Sequence, residues 1–320
     1  MRRLPTWAAI SSRALRAAVS SRALRAAVSN RALRTGRVGW VGLALPWLLL
    51  SLSLFVGCTK TSELSKQKAR SHVELLAKAA HDDVLEVQKG LPLGAKQLEA
   101  YFADGKAGED AVAAKEALQT ARNRVQDLRT AKSTFFLIAS TQGIILRSDV
   151  EHDSLAGKSL LGSFGELKAA AAGAYVESRG SMAEAAGVRG RSDGQWVAAT
   201  PIMKGSEVAG IYATGWSWSA YAYRLENQLR TTVKSEARDS QSKEPLVYVY
   251  VVVDSEVFGA PISPDVNAKA IKDSGLMGRA TGEAVVDAAQ EIEGRDFGLA
   301  LRRVPALGRD VAIAVVRSET

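Results

Sequence analysis

Cysteine is nearly absent from this chain: Cys58 is the only one in 320 residues. A single thiol excludes any internal disulfide framework. Histidine is almost as scarce, limited to His72, His81 and His152. Such a supply does not suit a metal centre built from clustered thiolates and imidazoles. No G-x-S-x-G elbow, H-E-x-x-H pair, P-loop or glycine-rich dinucleotide turn occurs, so the common motifs for hydrolysis, zinc proteolysis and nucleotide binding are missing. The chain therefore reads as non-enzymatic, with no catalytic residue, no metal ligand and no cofactor. A hydrolase assembled from dispersed Ser, His and Asp would have to centre on His152, because the other two histidines fall on a predicted helix.

Acidic residues and lysine are absent from residues 1–57, which hold nine arginines. The whole chain carries 42 basic and 34 acidic residues. Removing the nine arginines leaves 33 basic against 34 acidic residues for 58–320, a net charge of −1. The basic character belongs to the leader and not to the remainder. Nucleic acid is excluded as a partner on this ground, since phosphate binding needs a basic face on the folded part.

The order of features at the start has a direction. Arginines come first, then an uncharged run from Val38 to Val56, then Gly57-Cys58 and the polar Thr59-Lys60. A positive segment, an apolar segment and a small residue at the cut site define an export signal over 1–57. Leu54-Phe55-Val56-Gly57-Cys58 resembles a bacterial lipobox, with Phe55 where leucine is usual. The resemblance implies that Cys58 receives diacylglycerol, is cleaved on its N-terminal side and is then acylated with a fatty acid such as palmitate. The membrane is then the first partner, held through acyl chains that each contribute about 0.8 kcal/mol per buried methylene. The alternatives are an uncleaved membrane helix, for which the run is just long enough, and an ordinary apolar cysteine. Either anchored form places the rest of the chain outside the cytoplasm. Thr59 lacks the aspartate that favours inner-membrane retention in enteric bacteria, so the outer membrane is slightly preferred. Upstream, Ser11–Val19 (SSRALRAAV) repeats as Ser20–Val28. That period is too short for a solenoid and reads as an extension upstream of the true start.

The mature chain changes period part-way. Ser62 serves as a helix N-cap, and Ala69, Val73, Leu76, Ala80, Val84 and Val87 form one apolar stripe. Gly90-Leu91-Pro92 is expected to end that helix. Leu118, Ala121, Val125 and Leu128 mark another, so 58–132 reads as a lipid-anchored helical stalk. Residues 134–140 and 144–148 then form a hairpin around Thr141-Gln142-Gly143. A short helix is expected over 167–174. Strands at 195–203 and 208–218 flank Lys204-Gly205-Ser206-Glu207, and a helix follows over 219–236. After the polar linker 238–244 the order recurs. Strands are expected at 246–253 and 257–262, then a helix from Pro264 to Asp273, then strands at 283–287, 297–304 and 311–317. The fold class is α+β: a helical stalk followed by two antiparallel-sheet units, at 133–237 and 245–318.

The stretches FFLIASTQGIILRSD, HDSLAGKSL, QWVAATPI and SEVAG followed by IYATGWSW together resemble an extracytoplasmic Cache domain, the PAS-like sensory module of bacterial receptors. A stalk with two such units is similar to the double-Cache arrangement. The resemblance covers roughly 62–318 and implies a small-molecule ligand on the concave sheet face of one unit. By position it points to Arg147 and Asp149 at the end of the first hairpin, Tyr175 to Arg179 after the short helix, Asp193, Gln195 and Trp196 opening a strand, and Trp216 and Trp218 closing the next. Against this, tryptophans at strand spacing equally serve a core. Asp149, His152 and Asp153 equally form a solvated turn, and Arg179 and Arg191 an exposed loop. The carboxylates of Asp82-Asp83 read as solvated helix surface.

The expected role is a lipid-anchored extracytoplasmic sensor or ligand-binding protein of the cell envelope. No output domain follows the last strand, so its signal would pass to a transmembrane signalling partner. The alternative is a non-catalytic structural or interaction lipoprotein, which an exposed stalk stripe would favour.

Overall fold

The computed structural model describes residues 45–182 and 193–319, with side chains from Thr61 onward. The leader repeat, most of the export segment and Arg191 lie outside the described residues. The chain divides into compact units Met1–Leu48 and Leu49–Thr320, and the second carries the architecture below. Among the described residues no helix is long and apolar enough to cross a membrane.

The first helix, α1, runs from Leu45 to Leu98. Neither expected boundary holds, since Ser62 lies inside it and Gly90-Leu91-Pro92 does not stop it. Packing explains the second point. A Cβ on Gly90 would lie 2.9 Å from Asp127 Cβ, and one on Gly94 would lie 2.7 Å from the Tyr212 ring. These glycines let the helix approach its neighbours, and Pro92 between them forgoes one backbone hydrogen bond. The stripe Ala69, Val73, Leu76, Ala80, Val84 and Val87 is buried and continues through Leu91, Ala95 and Leu98. The expected stalk is therefore packed along its length.

Helices α2 (Ala111–Arg124) and α3 (Gln126–Ala131) fold back against it. Asp110 caps α2 by accepting from the Val112 and Ala113 amides at 2.8 and 3.2 Å, satisfying donors that a helix start leaves open.

Strands β1 (Phe135–Ala139) and β2 (Ile145–Ser148) form the first hairpin. Short helices α4 (Leu160–Ser163) and α5 (Lys168–Ala171) follow, then β3 (Val176–Met182), β4 (Asp193–Lys204) and β5 (Glu207–Ser217). After α6 (Trp218–Asp239) come β6 (Leu246–Val253), β7 (Glu256–Gly259), α7 (Asp265–Asp273), α8 (Leu276–Arg279), β8 (Val286–Ile292), β9 (Arg295–Arg303) and β10 (Val311–Ser318). The antiparallel sheets are ordered β2-β1-β5-β4-β3 and β7-β6-β10-β9-β8. Each index in the second is that of the first plus five, so one topology is used twice.

Two strands depart from expectation. The sequence VESRGSM, expected as loop after the short helix, is β3, the sheet's edge. Its residues alternate without a run of buried apolar groups, because an edge strand packs on one side only. The strand expected at 283–287 instead spans β8, three residues later at its start.

Each sheet is covered on both faces. Phe136, Ile138, Trp196, Ala198 and Tyr212 of the first sheet and Val249, Val251, Ile313 and Val315 of the second enter one core with the α1 and α6 stripes. Alternate residues line the opposite faces. Phe135, Leu137, Val197 and Ile211 meet Leu160, Phe164 and Leu167. Tyr250, Val252, Leu299 and Ala314 meet Ile271 and Leu276. The period of two along each strand produces this division.

Candidate functional site

The residues singled out by sequence fall in separate places. Trp196 and Trp216 sit opposite each other on β4 and β5. Their rings stack 4.7 Å apart, and Tyr221 lies 5.0 Å beyond Trp216. All three belong to the core shared with α1. Trp218 opens α6 against Gly194. Asp193 is buried, and its Oδ2 accepts from the Ser219 amide at 3.0 Å, holding the first turn of α6. A carboxylate there is favoured by the positive end of the helix dipole.

Arg147 and Asp149 end the first hairpin but face different partners. Arg147 donates to the Leu146 carbonyl at 2.9 Å and the Glu109 carbonyl at 3.4 Å. Asp149 accepts from the Phe136 amide at 2.7 Å and lies 3.8 Å from Arg122. Burial pushes its carboxyl above the usual carboxylate range, against the opposing pull of that amide and of Arg122. Tyr175 donates to Glu177 at 2.9 Å, and burial raises its hydroxyl pKa. His152 is 83% exposed and lies 3.5 Å from Glu151. Among the described residues no cluster of three His, Cys, Asp or Glu is placed to hold a metal ion.

Two acid and base assignments change. Arg179 is on β3, not in a loop, and pairs with Asp310 of the second sheet unit. Asp83 is buried, not solvated. It accepts from Tyr221 at 2.8 Å and pairs with Arg224, whose guanidinium also caps the Ala131 carbonyl. Burial raises the Asp83 carboxyl, while Arg224 lowers it. Asp83 and Arg224 line a groove of about 1140 Å³ between α1, α3 and α6. These two satisfy each other, whereas Arg129 and Lys132 on the same groove have no acidic partner among the described residues.

The face of the first sheet turned away from α1 is different. Its cover of Leu160, Phe164, Leu167 and Ala170 is apolar. Beneath it lies Gln195, with no exposed surface. Neither its Oε1 nor its Nε2 has a hydrogen-bond partner. Gln195 stands opposite Ser217 on β5 and Gly180 on β3. A Cβ on Gly180 would strike the Phe164 ring at 2.8 Å, so the α4 segment roofs the strand beside Gln195. Ser133, just ahead of β1, is also buried with its hydroxyl unpartnered. An unmet polar group inside a protein costs about 1–3 kcal/mol. A primary amide presents two donors and an acceptor together, so it can grip a carboxylate, an ammonium-bearing group or an ordered water. Gln195 was legible as a strand-opening polar residue. Ser133 and Ser217 were not, because lone serines give no periodic signal.

No protein-family model matches the chain, and no curated protein does. Solved structures do. The extracellular domain of a protein assigned as histidine kinase vpHK1S-Z8 superposes with a TM-score of 0.53 at 12% identity, covering 82% of this chain and 93% of that one. A domain of a sensory box/GGDEF family protein from Vibrio parahaemolyticus gives 0.50 at 11% identity, covering 81% and 98%. The fold is Cache/PAS-like. Identities this low carry architecture alone, and function has to be argued from the site. In this chain the face of the first sheet turned away from α1 is covered by the segments around α4 and α5, and it is the face that holds Gln195.

Proposed function

We propose that this chain is a lipid-anchored, extracytoplasmic ligand-sensing protein of Cache type without catalytic activity of its own. It holds a small polar molecule on the outer face of the first sheet and passes the signal to a membrane partner. Gln195 carries the ligand half of this reading. A buried amide with both ends unmet is retained at a cost unless something meets it. The apolar cover supplies the walls, and a few convergent polar groups suffice for orientation. The fold of the neighbouring solved structures, both from sensory proteins by their descriptions, supports the role. The buried α1 stripe speaks against the alternative of an interaction lipoprotein docking through that helix.

The decisive variant is Gln195→Leu. Replacing an unmet polar group by an apolar one of similar size stabilises the empty protein or leaves it unchanged. If Gln195 anchors a ligand, the variant keeps its melting temperature but loses the shift given by whichever of the amino acids, organic acids and amines stabilises the wild type. An unchanged shift in Gln195→Leu, or no shift with any of these classes, sinks the reading. The anchor half rests on the order of charge, apolar run and Cys58. A Cys58→Ala chain should leave the membrane fraction, and firm membrane retention would overturn lipidation.

A further inference from the structure

The second sheet unit has a cleft of its own. It measures about 560 Å³ and opens between the β6–β7 turn, α7, α8 and β9. That volume lies within the range of about 300–1,000 Å³ usual for small-molecule sites. Val252, Val257, Ile271 and Met277 form an apolar wall, and Lys272 and Arg303 bring positive charge to it.

Arg303 is held in an unusual way. Its Nε donates to the Ala280 carbonyl at 2.9 Å, Nη1 to the Arg309 carbonyl at 2.8 Å and Nη2 to the Met277 carbonyl at 3.1 Å. Three neutral acceptors fix the guanidinium between α8 and the β9–β10 turn but leave its charge uncompensated. A guanidinium has five N–H groups, so two remain, one on each terminal nitrogen. That pair suits the two oxygens of one carboxylate.

Asp254 is the acid at the lip of this cleft. Its backbone amide donates to the Asp310 carbonyl at 3.0 Å, and against its one carboxylate the two cations leave the cleft net positive. Lys272 also borders a smaller polar cleft of about 290 Å³ shared with Asp193, Glu256 and Asp265. Its ammonium is therefore the adjustable charge, and Arg303 the fixed one.

We infer that this cleft is a second ligand site, independent of Gln195, and that it takes a small organic carboxylate with an apolar body. The carboxylate meets Arg303 and Lys272, and the body lies on Val252, Ile271 and Met277. A fixed cation aimed into an apolar cleft loses little in ordering when an anion arrives, which favours binding.

The test uses the full chain in detergent micelles, by calorimetry and thermal shift, with hexanoate, hexanamide and inorganic phosphate as probes. Hexanoate should bind and raise the melting temperature, and the other two should not. Lys272→Gln should weaken hexanoate about fivefold, the effect of losing one exposed charge contact. Gly278 also lines the cleft, and a Cβ there meets no atom within 4 Å. Gly278→Phe should therefore fill the cleft without disturbing the fold and abolish the hexanoate response. Gln195→Leu should leave that response intact, which separates this site from the first. Binding of hexanamide or of phosphate alone as strong as that of hexanoate would overturn the inference. So would a hexanoate response that survives Gly278→Phe, or no response in the wild type.

Discussion

His72 sits among three elements and shows how one side chain sets a pH response. It is buried on α1. Its Nε2 lies 3.2 Å from Glu236 of α6, and its Nδ1 lies 3.2 Å from Arg317 Nη1 of β10. An Arg nitrogen can only donate, so Nδ1 accepts and Nε2 carries the proton toward Glu236. Lys68 on α1 and Glu319 beyond β10 complete the charges around the ring, through Glu236 and Arg317 respectively. Protonating Nδ1 would set an N–H against the Arg317 N–H. Burial lowers the His72 pKa most, the Glu236 hydrogen bond opposes that, and Arg317 adds to the lowering. The native pKa thus lies below the unfolded value of about 6.5. Above that value both states are neutral and His72 contributes no pH dependence. Below it the unfolded chain binds a proton that the folded chain resists, so stability falls as pH drops, until the native value is passed. The urea midpoint of the wild type should decline from pH 7 to pH 5 more steeply than that of His72→Gln. Parallel curves would show that this ring does not titrate differently on folding.

At the scale of elements, the sequence was most legible where periodicity was strong. The β4–β5 hairpin around Gly205, the long β6 and the α6 stripe all stand within a few residues of expectation. The errors have a common cause, because local signals compete with contacts that the sequence does not display. Gly90 and Pro92 carry the signature of a helix end, yet the helix gains more by continuing to Leu98 against α3 and β5. Gly298 within β9 shows the same thing from the strand side. A Cβ there would fall on the backbone of Ser65 and Lys66, so the strand crosses α1 with nothing between them. Arg70 and Lys66 of α1 then reach Asp287 on β8 beside that crossing. The β3 edge was missed because it pairs through backbone with β4 and buries little. The candidate site was legible in part. Asp193, Gln195 and Trp196 were marked as a cluster by position, but alternation along β4 sends Gln195 and Trp196 to opposite faces. Which face is roofed by α4 is a tertiary fact. Arg303 gave no motif at all, since its three partners are backbone carbonyls.

The whole molecule is organised around one shared core. Residues of both sheets, α1 and α6 enter the same apolar cluster, and the Arg179–Asp310 pair links β3 to the turn before β10. Glu226 of α6 is buried and accepts from the Val249 amide of β6 at 3.1 Å, which ties the connecting helix to the second sheet. Two sheet units built this way should not unfold separately, because losing either one strips apolar surface from α1 that the other cannot cover. This coupling is what a sensor needs if a ligand in one unit is to be felt in the other, since two sites communicate only through an element whose state both bias. The chain offers a convenient probe. Beyond residue 60 its tryptophans are Trp196, Trp216 and Trp218, all in the first unit. Ile313 is fully buried in the second sheet, on the face toward α1. Ile313→Ala should cost about 2–5 kcal/mol. In a chain trimmed to residues 59–320, with one cooperative unit, that loss lowers the urea midpoint of tryptophan fluorescence by the same amount as the midpoint of far-ultraviolet circular dichroism. If instead the fluorescence midpoint stays at the wild-type value while part of the dichroism signal moves, the units fold independently. The shared helix would then be a connector between two modules, and a ligand bound at Gln195 would have no packed route to the cleft at Arg303.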